Sequence, residues 1–313
     1  MCMCGVWHPD SLAIMFASAL LTNTVLYYAM LAWMKKPVFA PKFSIPCRTD
    51  TPAELFVGSA LFGAGWGLGG FCPGPAIVAS WEGNTRTLVF LVAMVVGMGV
   101  YKYQRHVAEA AARKSDDKMA KGNYSTSTAT LAFTFVFGLA LVLWAYYDAS
   151  SSGTSARVAR NTFYLHPYRP LIGGVLIGTS VASMMALSGE ILGISGILSG
   201  LFSVDTHDKS FRAAFLAGLL AAAAVMWHTE PGLLINRMHR PLHFFALGGL
   251  LVGFGTGLGS GCTSGHGVAG LTRMSKRSII AVAVFMSANI AVTTALHTIG
   301  IGTGWKVAMG SAR

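Results

Sequence analysis

Charge is scarce in this 313-residue chain: only 11% of its residues are Asp, Glu, Lys or Arg, against roughly a quarter in a soluble domain. With 53% hydrophobic residues and a mean hydropathy of +0.57, that scarcity excludes an ordinary soluble domain. Acidic residues are scarcer than basic ones, 12 against 23, and no Asp/Glu pair in an apolar run suggests a proton path. A basic stripe with aromatic or motif support is missing, which excludes a nucleic-acid partner. The net charge of +11 instead reads as basic cytoplasmic loops, with a field that attracts anions. Cysteine is also sparse, and its number, five, is odd. Two of the five fall in glycine-rich stretches at apparent membrane depth, so a disulfide framework is excluded. Cys2 and Cys4 form a C-x-C that reads as a frayed terminus rather than a metal or acyl site, and Cys47 lies in a polar loop without a role. A basic n-region followed by an h-region and a cleavage site is absent, so no removable signal peptide is expected.

Apolar runs are abundant. Several approach the roughly 20 residues that cross a hydrocarbon core about 30 Å thick, predicting an all-α integral membrane protein. The expected crossing elements are residues 11–34, 52–81, 87–101, 126–148, 170–202, 211–228, 242–271 and 278–298. Three are too long or too glycine-rich for one plain helix. In 52–81 a helix over 52–69, an unwound turn around Phe71–Cys72 and a short helix from Pro73 are expected, because Gly69 to Pro75 interrupts the run. A second break is expected at Ser188–Gly189–Glu190, and 242–271 holds a third. Unwound backbone survives at membrane depth only where it is buried in protein or lines a cavity. The loop 35–50 and the amphipathic segment 102–125 are basic and are placed on the cytoplasmic side, the latter on anionic headgroups. A Ser/Gly-rich connector at 149–156 divides the chain into a first half, 1–150, and a second, 151–313.

The most informative feature is a repeat. Gly63, Gly65, Gly67 and Gly69 alternate up to Cys72, and Gly253, Gly255, Gly257 and Gly259 alternate up to Cys262, 190 residues later. Both copies read G-x-G-x-G-L-G-x-x-C, sharing Leu68 and Leu258. Counting crossings with loop 35–50 inside puts 102–125, 203–210 and 273–277 inside as well and runs the two copies in opposite directions. Inverted-repeat transporters have that arrangement, with discontinuous helices meeting at a midplane site.

Alternating small residues let helices approach closely, which accounts for the glycines but not for the matched cysteine. Each cysteine precedes a short helix, from Pro73–Gly74 or from Thr263–Ser264–Gly265. Helix starts offer free N–H groups and partial positive charge, favouring an anion and lowering a thiol's pKa. An oxyanion that carries its own sulfur matches both the N–H groups and the thiol. His266 follows Cys262 by one helical turn; it packs or donates to substrate, and a zinc or covalent role is disfavoured because no carboxylate or second cysteine stands nearby. Glu190, in an apolar stretch, is either functional or at an interface end. His228, Glu230, His239 and His243 surround a loop and read as solvated.

GLLVGFGTGLGSGCTSGHGVAGLTRMSKRSIIAVAVFM, from Gly249, closely resembles the signature of the YeeE/YedE sulfur-transport family, and GGVLIGTSVASMMALSGEILGISGILSG resembles its first conserved element. Residues 8–103, with GSALFGAGWGLGGFCPGPAIVA, look like the companion half, here fused in front. The resemblance implies import of thiosulfate or a related sulfur anion, without a cofactor or enzymatic step, through an hourglass-shaped helical protein. It implies that Cys72 and Cys262 pass the ion by transient S–H to sulfur hydrogen bonds. A cytoplasmic sulfur-accepting protein is the partner such a reading implies; a membrane sulfurtransferase holding a persulfide on Cys262 is the alternative. The chain departs from the family pattern at Ala269, where many relatives have cysteine, and at Ser188–Gly189–Glu190, where longer members carry a further one. The companion half normally starts with another glycine-rich broken helix; here the chain opens at about its first plain span.

Overall fold

The computed structural model describes residues 9–45, 50–115, 168–202, 209–229, 238, 240–299 and 301. Among them the regular structure is helical: α1 (Pro9–Trp33), α2 (Ala53–Gly69), α3 (Pro73–Ala79) with a 3-10 turn at Ser80–Glu82, α4 (Thr85–Ser115), α5 (Tyr168–Ser188), α6 (Ile194–Leu201), α7 (Lys209–Thr229), α8 (Leu242–Leu258), a π-helical segment (Thr263–Gly270) and α9 (Lys276–Thr298). Six of these stretches are single runs long and apolar enough to cross a membrane, and α8 with the π segment, bent by 50°, makes a seventh. They coincide with seven of the eight expected crossings. The span 126–148 and the connector 149–156 lie outside the described residues. Leu21, Val92, Leu176 and Val225 are exposed on the outer faces of these helices, where hydrocarbon would cover them.

All three expected breaks are present, and two of them turn on a left-handed glycine. After α2, Gly70 takes a left-handed φ of 73°, and its N–H closes the helix on the Trp66 carbonyl. The equivalent residue of the second copy, Ser260, is left-handed too, at φ 60°. The repeat is thus one of backbone as well as sequence. After α5, Gly189 has φ 72°. There the loop following α1 folds back: Val38, Phe39 and Ser44 donate backbone N–H groups to the carbonyls of Ala186, Leu187 and Gly189. These bonds satisfy carbonyls that a helix end leaves open. A Cβ at Gly189 would stand 2.6 Å from Pro37 Cγ and 2.9 Å from the Lys42 carbonyl. We expect Gly189→Ala to destabilise the fold by about 1–3 kcal/mol, from a left-handed alanine and the loop it displaces; a lowered melting temperature of detergent-purified protein would show it.

One element differs from its expectation. The crossing at 87–101 does not stop before the basic segment: α4 runs unbroken to Ser115. No glycine or proline lies between Tyr101 and Ser115, and that stretch is rich in Ala, Lys, Arg, Glu and Gln, good helix formers. The first half of the expected surface linker therefore prolongs the span, with Lys102 bonded to the Ser199 carbonyl at the end of α6.

The glycine frames form the centre of the packing. α2 and α8 cross antiparallel, since Gly58 lies on Gly259, Phe62 on Gly255 and Gly65 on Gly248. A Cβ at Gly65 would be 2.7 Å from the Gly248 carbonyl oxygen, and one at Gly255 would be 2.5 Å from the Phe62 nitrogen. The alternate glycines face a different neighbour. Gly63 and Gly67 abut α9 at Phe285 and Asn289, while Gly253 and Gly257 abut α4 at Met94 and Tyr101. The contacts therefore obey a pseudo-two-fold: α2 with α9 matches α8 with α4, α3 with α4 matches the π segment with α9, and α3 with α7 matches the π segment with α1. α5, which packs along α1, has no counterpart on α7 among the described residues.

Candidate functional site

Cys72 and Cys262 are the N-caps of α3 and of the π segment, both with extended backbone (φ −103° and −130°). Their carbonyls accept the first intrahelical bonds, from Ala76 N–H at 3.1 Å and from His266 N–H at 2.9 Å. Pro73 occupies the first helical position after Cys72, where its missing N–H costs nothing. Phe71, fully buried, holds this break in place: its ring lies 5.4 Å from that of Phe90 and 6.4 Å from that of Phe245. Cys72 is half-buried, and Cys262 is 1% exposed. Both join the main hydrophobic core.

The third break brings these two turns into one site. α6 starts beside both of them. A Cβ at Gly74 would lie 2.8 Å from Ile194 Cδ1, and one at Gly265 would lie 3.8 Å from Gly193 Cα. Ile194 donates its backbone N–H to Ser264 Oγ at 3.2 Å, and that oxygen is 3.1 Å from Cys262 Sγ. The Ser264 hydroxyl therefore links the positive end of α6 to the sulfur of Cys262. Three short helices, α3, α6 and the π segment, direct their N-termini and partial positive charge to the same neighbourhood. Thr263 is half-buried at the start of the π segment.

His266 is placed differently from a substrate donor. Its ring is 8% exposed. Nε2 lies 3.1 Å from the Gly259 carbonyl, which can only accept, so Nε2 carries the proton. Nδ1 then accepts from the Ser278 hydroxyl at 3.0 Å. Both nitrogens are engaged, and the ring fills the space beside Gly261, where a Cβ would come within 2.6 Å of Nε2. Of the two roles open to it, the geometry fits packing: His266 ties the Cys262 turn to α8 and α9. We expect His266→Leu to cost about 1–3 kcal/mol for the buried groups left unpaired, with uptake falling only as folded protein does. Full stability with lost uptake would return it to the substrate path.

Glu190 sits in the break between α5 and α6, half-buried, its backbone N–H donated to Ser188 Oγ at 3.3 Å. Among the described residues, no hydrogen bond or ion pair joins it to either cysteine turn. Among the described residues, no group of three His, Cys, Asp or Glu could hold a metal ion.

Two arginines turn inward, Arg240 in the segment before α8 and Arg277 in the first turn of α9. Arg277, 7% exposed, donates to the Asp50 carbonyl at 3.0 Å and lies 3.6 Å from the Asp50 carboxylate. Arg240, just before α8, is 4% exposed and donates to the carbonyls of Gly67 and Leu68 at 2.5 and 2.6 Å. A cation there complements the negative end of α2. Burial lowers its pKa from the ordinary value, yet a guanidinium stays charged. His243, expected in solvent, is half-buried with Nδ1 unpartnered. His228 lies at the end of α7, and Glu230 and His239 fall outside the described residues. Sequence reasoning missed the burial of Arg240 and the start of α6 beside the cysteine turns; only the glycine–serine break before α6 hinted at the latter.

An all-helical, multi-pass membrane protein with antiparallel broken elements, each capped by a cysteine, is the architecture of a transporter. The chain belongs to the sulphur transport family, whose model matches residues 10–291. It is similar to a protein of Xylella fastidiosa strain Temecula1 named "Probable transporter", 36% identical over 128 residues that make up 40% of this chain and 91% of the relative. The corresponding protein of strain 9a5c is 37% identical over 127 residues, again 91% of its length. A second Temecula1 protein of the same name is 37% identical over 97 residues, 31% of this chain and 64% of that relative.

Proposed function

We propose that this transporter carries a small sulfur-containing anion, thiosulfate foremost, past a constriction formed by the Cys72 and Cys262 turns around Ile194. The observation that carries the reading is the Ser264 hydroxyl, bonded at once to the start of α6 and to the Cys262 sulfur. An arriving oxyanion meets the partial positive charge at the starts of three short helices, which suits its oxygens. Its terminal sulfur meets a thiol, whose weak S–H donor matches a soft acceptor better than a hydroxyl does. The apolar Ile194, Leu192 and Phe71 around these turns hold bulk water away, so each hydrogen bond counts for more. With Cys262 buried, the conformation is closed at that point, and passage requires the turns to part.

The same burial weighs against a sulfurtransferase that would present a persulfide on Cys262 to another protein. Accumulation of radiolabelled thiosulfate by proteoliposomes holding the purified protein tests the reading. Uptake above empty vesicles, reduced by excess unlabelled thiosulfate, is the expected result. Well-folded protein that gives none, but gains one sulfur atom on Cys262 by mass spectrometry after exposure to a sulfur donor, would favour the alternative.

A further inference from the structure

Arg240 is buried with a charge that its surroundings only partly answer. Among the described residues it donates to two neutral carbonyls, and no carboxylate pairs with it. Arg277, buried too, has Asp50. The Arg240 Nε is buried without a hydrogen-bond partner. A guanidinium removed from water in that state is costly unless an anion joins it. Beside it is a cavity of about 20 Å³ lined by Trp66, Gly67, Gly70, Met238, Asn289 and Thr293, enough space for at least one water-sized group. Asn289 is 4% exposed and, with Thr293, adds polar side chains from α9. Gly70 on this wall is two residues from Cys72.

We propose that Arg240, Asn289 and Thr293 form an anion-recognition station at the end of α2, loaded with a small sulfur oxyanion before it reaches Cys72. The station rests on the transport reading above and adds the group that selects for charge. Arg240 Nε donates to one oxygen of the anion, and the α9 side chains donate to others. Because NH1 remains on the α2 carbonyls, the arginine keeps its place whether or not the anion is bound. The anion leaves it for the adjacent break, where the thiol of Cys72 takes the sulfur end.

Full-length protein in phospholipid nanodiscs provides the test, with sodium thiosulfate and sodium sulfate as probes and sodium chloride as the ionic-strength control. Trp66 on the cavity wall makes tryptophan emission a direct reporter, and radiolabelled thiosulfate gives an independent binding curve. Both oxyanions are expected to saturate the wild type, and Arg240→Gln to weaken them by about tenfold or more, the equivalent of one lost charge-assisted bond. Cys72→Ala is expected to keep the binding curve while lowering uptake. If Cys72→Ala transports normally, the cysteine relay fails while the station is still judged by its binding curve. Unchanged affinity in folded Arg240→Gln overturns the station. Should that variant not fold, Asn289→Leu, which closes the cavity from α9, decides by the same measure.

Discussion

Cys262→Ala is expected to reduce thiosulfate uptake about a hundredfold while leaving the protein folded. The thiol is 1% exposed, at the start of the π segment and in contact with the Ser264 hydroxyl. Replacing it with a methyl group removes one sulfur atom from a small site, a cost to stability of about 1 kcal/mol. The cost to transport is larger. At a closed, apolar constriction, a donor missing from the narrowest point leaves the passing ion short of a hydrogen bond worth about 1.5–3 kcal/mol to a charged partner, which is about ten- to a hundredfold in rate. Cys72→Ala should act in the same direction, less strongly because Cys72 is half-buried and water can share its role. Cys262→Ser separates sulfur chemistry from hydrogen bonding: the hydroxyl donates but is a harder group, so uptake is expected to stay well below wild type. Initial rates in proteoliposomes, normalised to monodisperse protein, decide the matter. Full uptake by the Cys72→Ala, Cys262→Ala double variant would sink the relay.

The second large effect concerns folding. Gly253→Leu is expected to abolish the folded state, whereas Gly218→Leu is expected to be silent. A Cβ at Gly253 would collide with the backbone of Met94 and stand 2.9 Å from the Met98 nitrogen, whereas one at Gly218 would meet nothing within 4 Å. Backbone cannot swing aside as a side chain does, so α4 and α8 would have to separate along their length. Overpacking by a methylene or two costs about 1–3 kcal/mol; a whole leucine between two helix backbones exceeds what a marginally stable protein holds, about 5–15 kcal/mol in all. Gly63→Leu should match Gly253→Leu, because Gly63 meets α9 at Phe285 as Gly253 meets α4. Fluorescence-detected size exclusion would register a lost monodisperse peak for both frame variants. A normal peak for either would show that the frame glycines do not set the helix spacing.

The comparison of these two glycines marks how far the sequence could be read. The repeat, its two cysteines and all three breaks were legible, because each is set by local chemistry. Gly70 and Gly189 take left-handed backbone that other residues resist, Pro73 suits a helix start, and apolar length fixes the crossings. The end of α4 was misplaced because a change from apolar to charged residues looks like a boundary, yet backbone propensity continues through Lys102 to Ser115. From the sequence His266, one turn after Cys262, could pack or donate to substrate. Its hydrogen bonds to Ser278 and Gly259 show that proximity in sequence is not direction in space.

By itself, then, the sequence determined that this chain crosses a membrane repeatedly, where its helices break and which two thiols cap the new starts. Each of these follows from the conformational limits of a few neighbouring residues and from the thickness of the bilayer. The tertiary structure decided which groups those thiols meet. Ile194 reaches Ser264 across 70 residues and Arg240 reaches Gly67 across 173. Such contacts depend on how closely glycine-lined helices pack and at what angle they cross, and no local rule contains either.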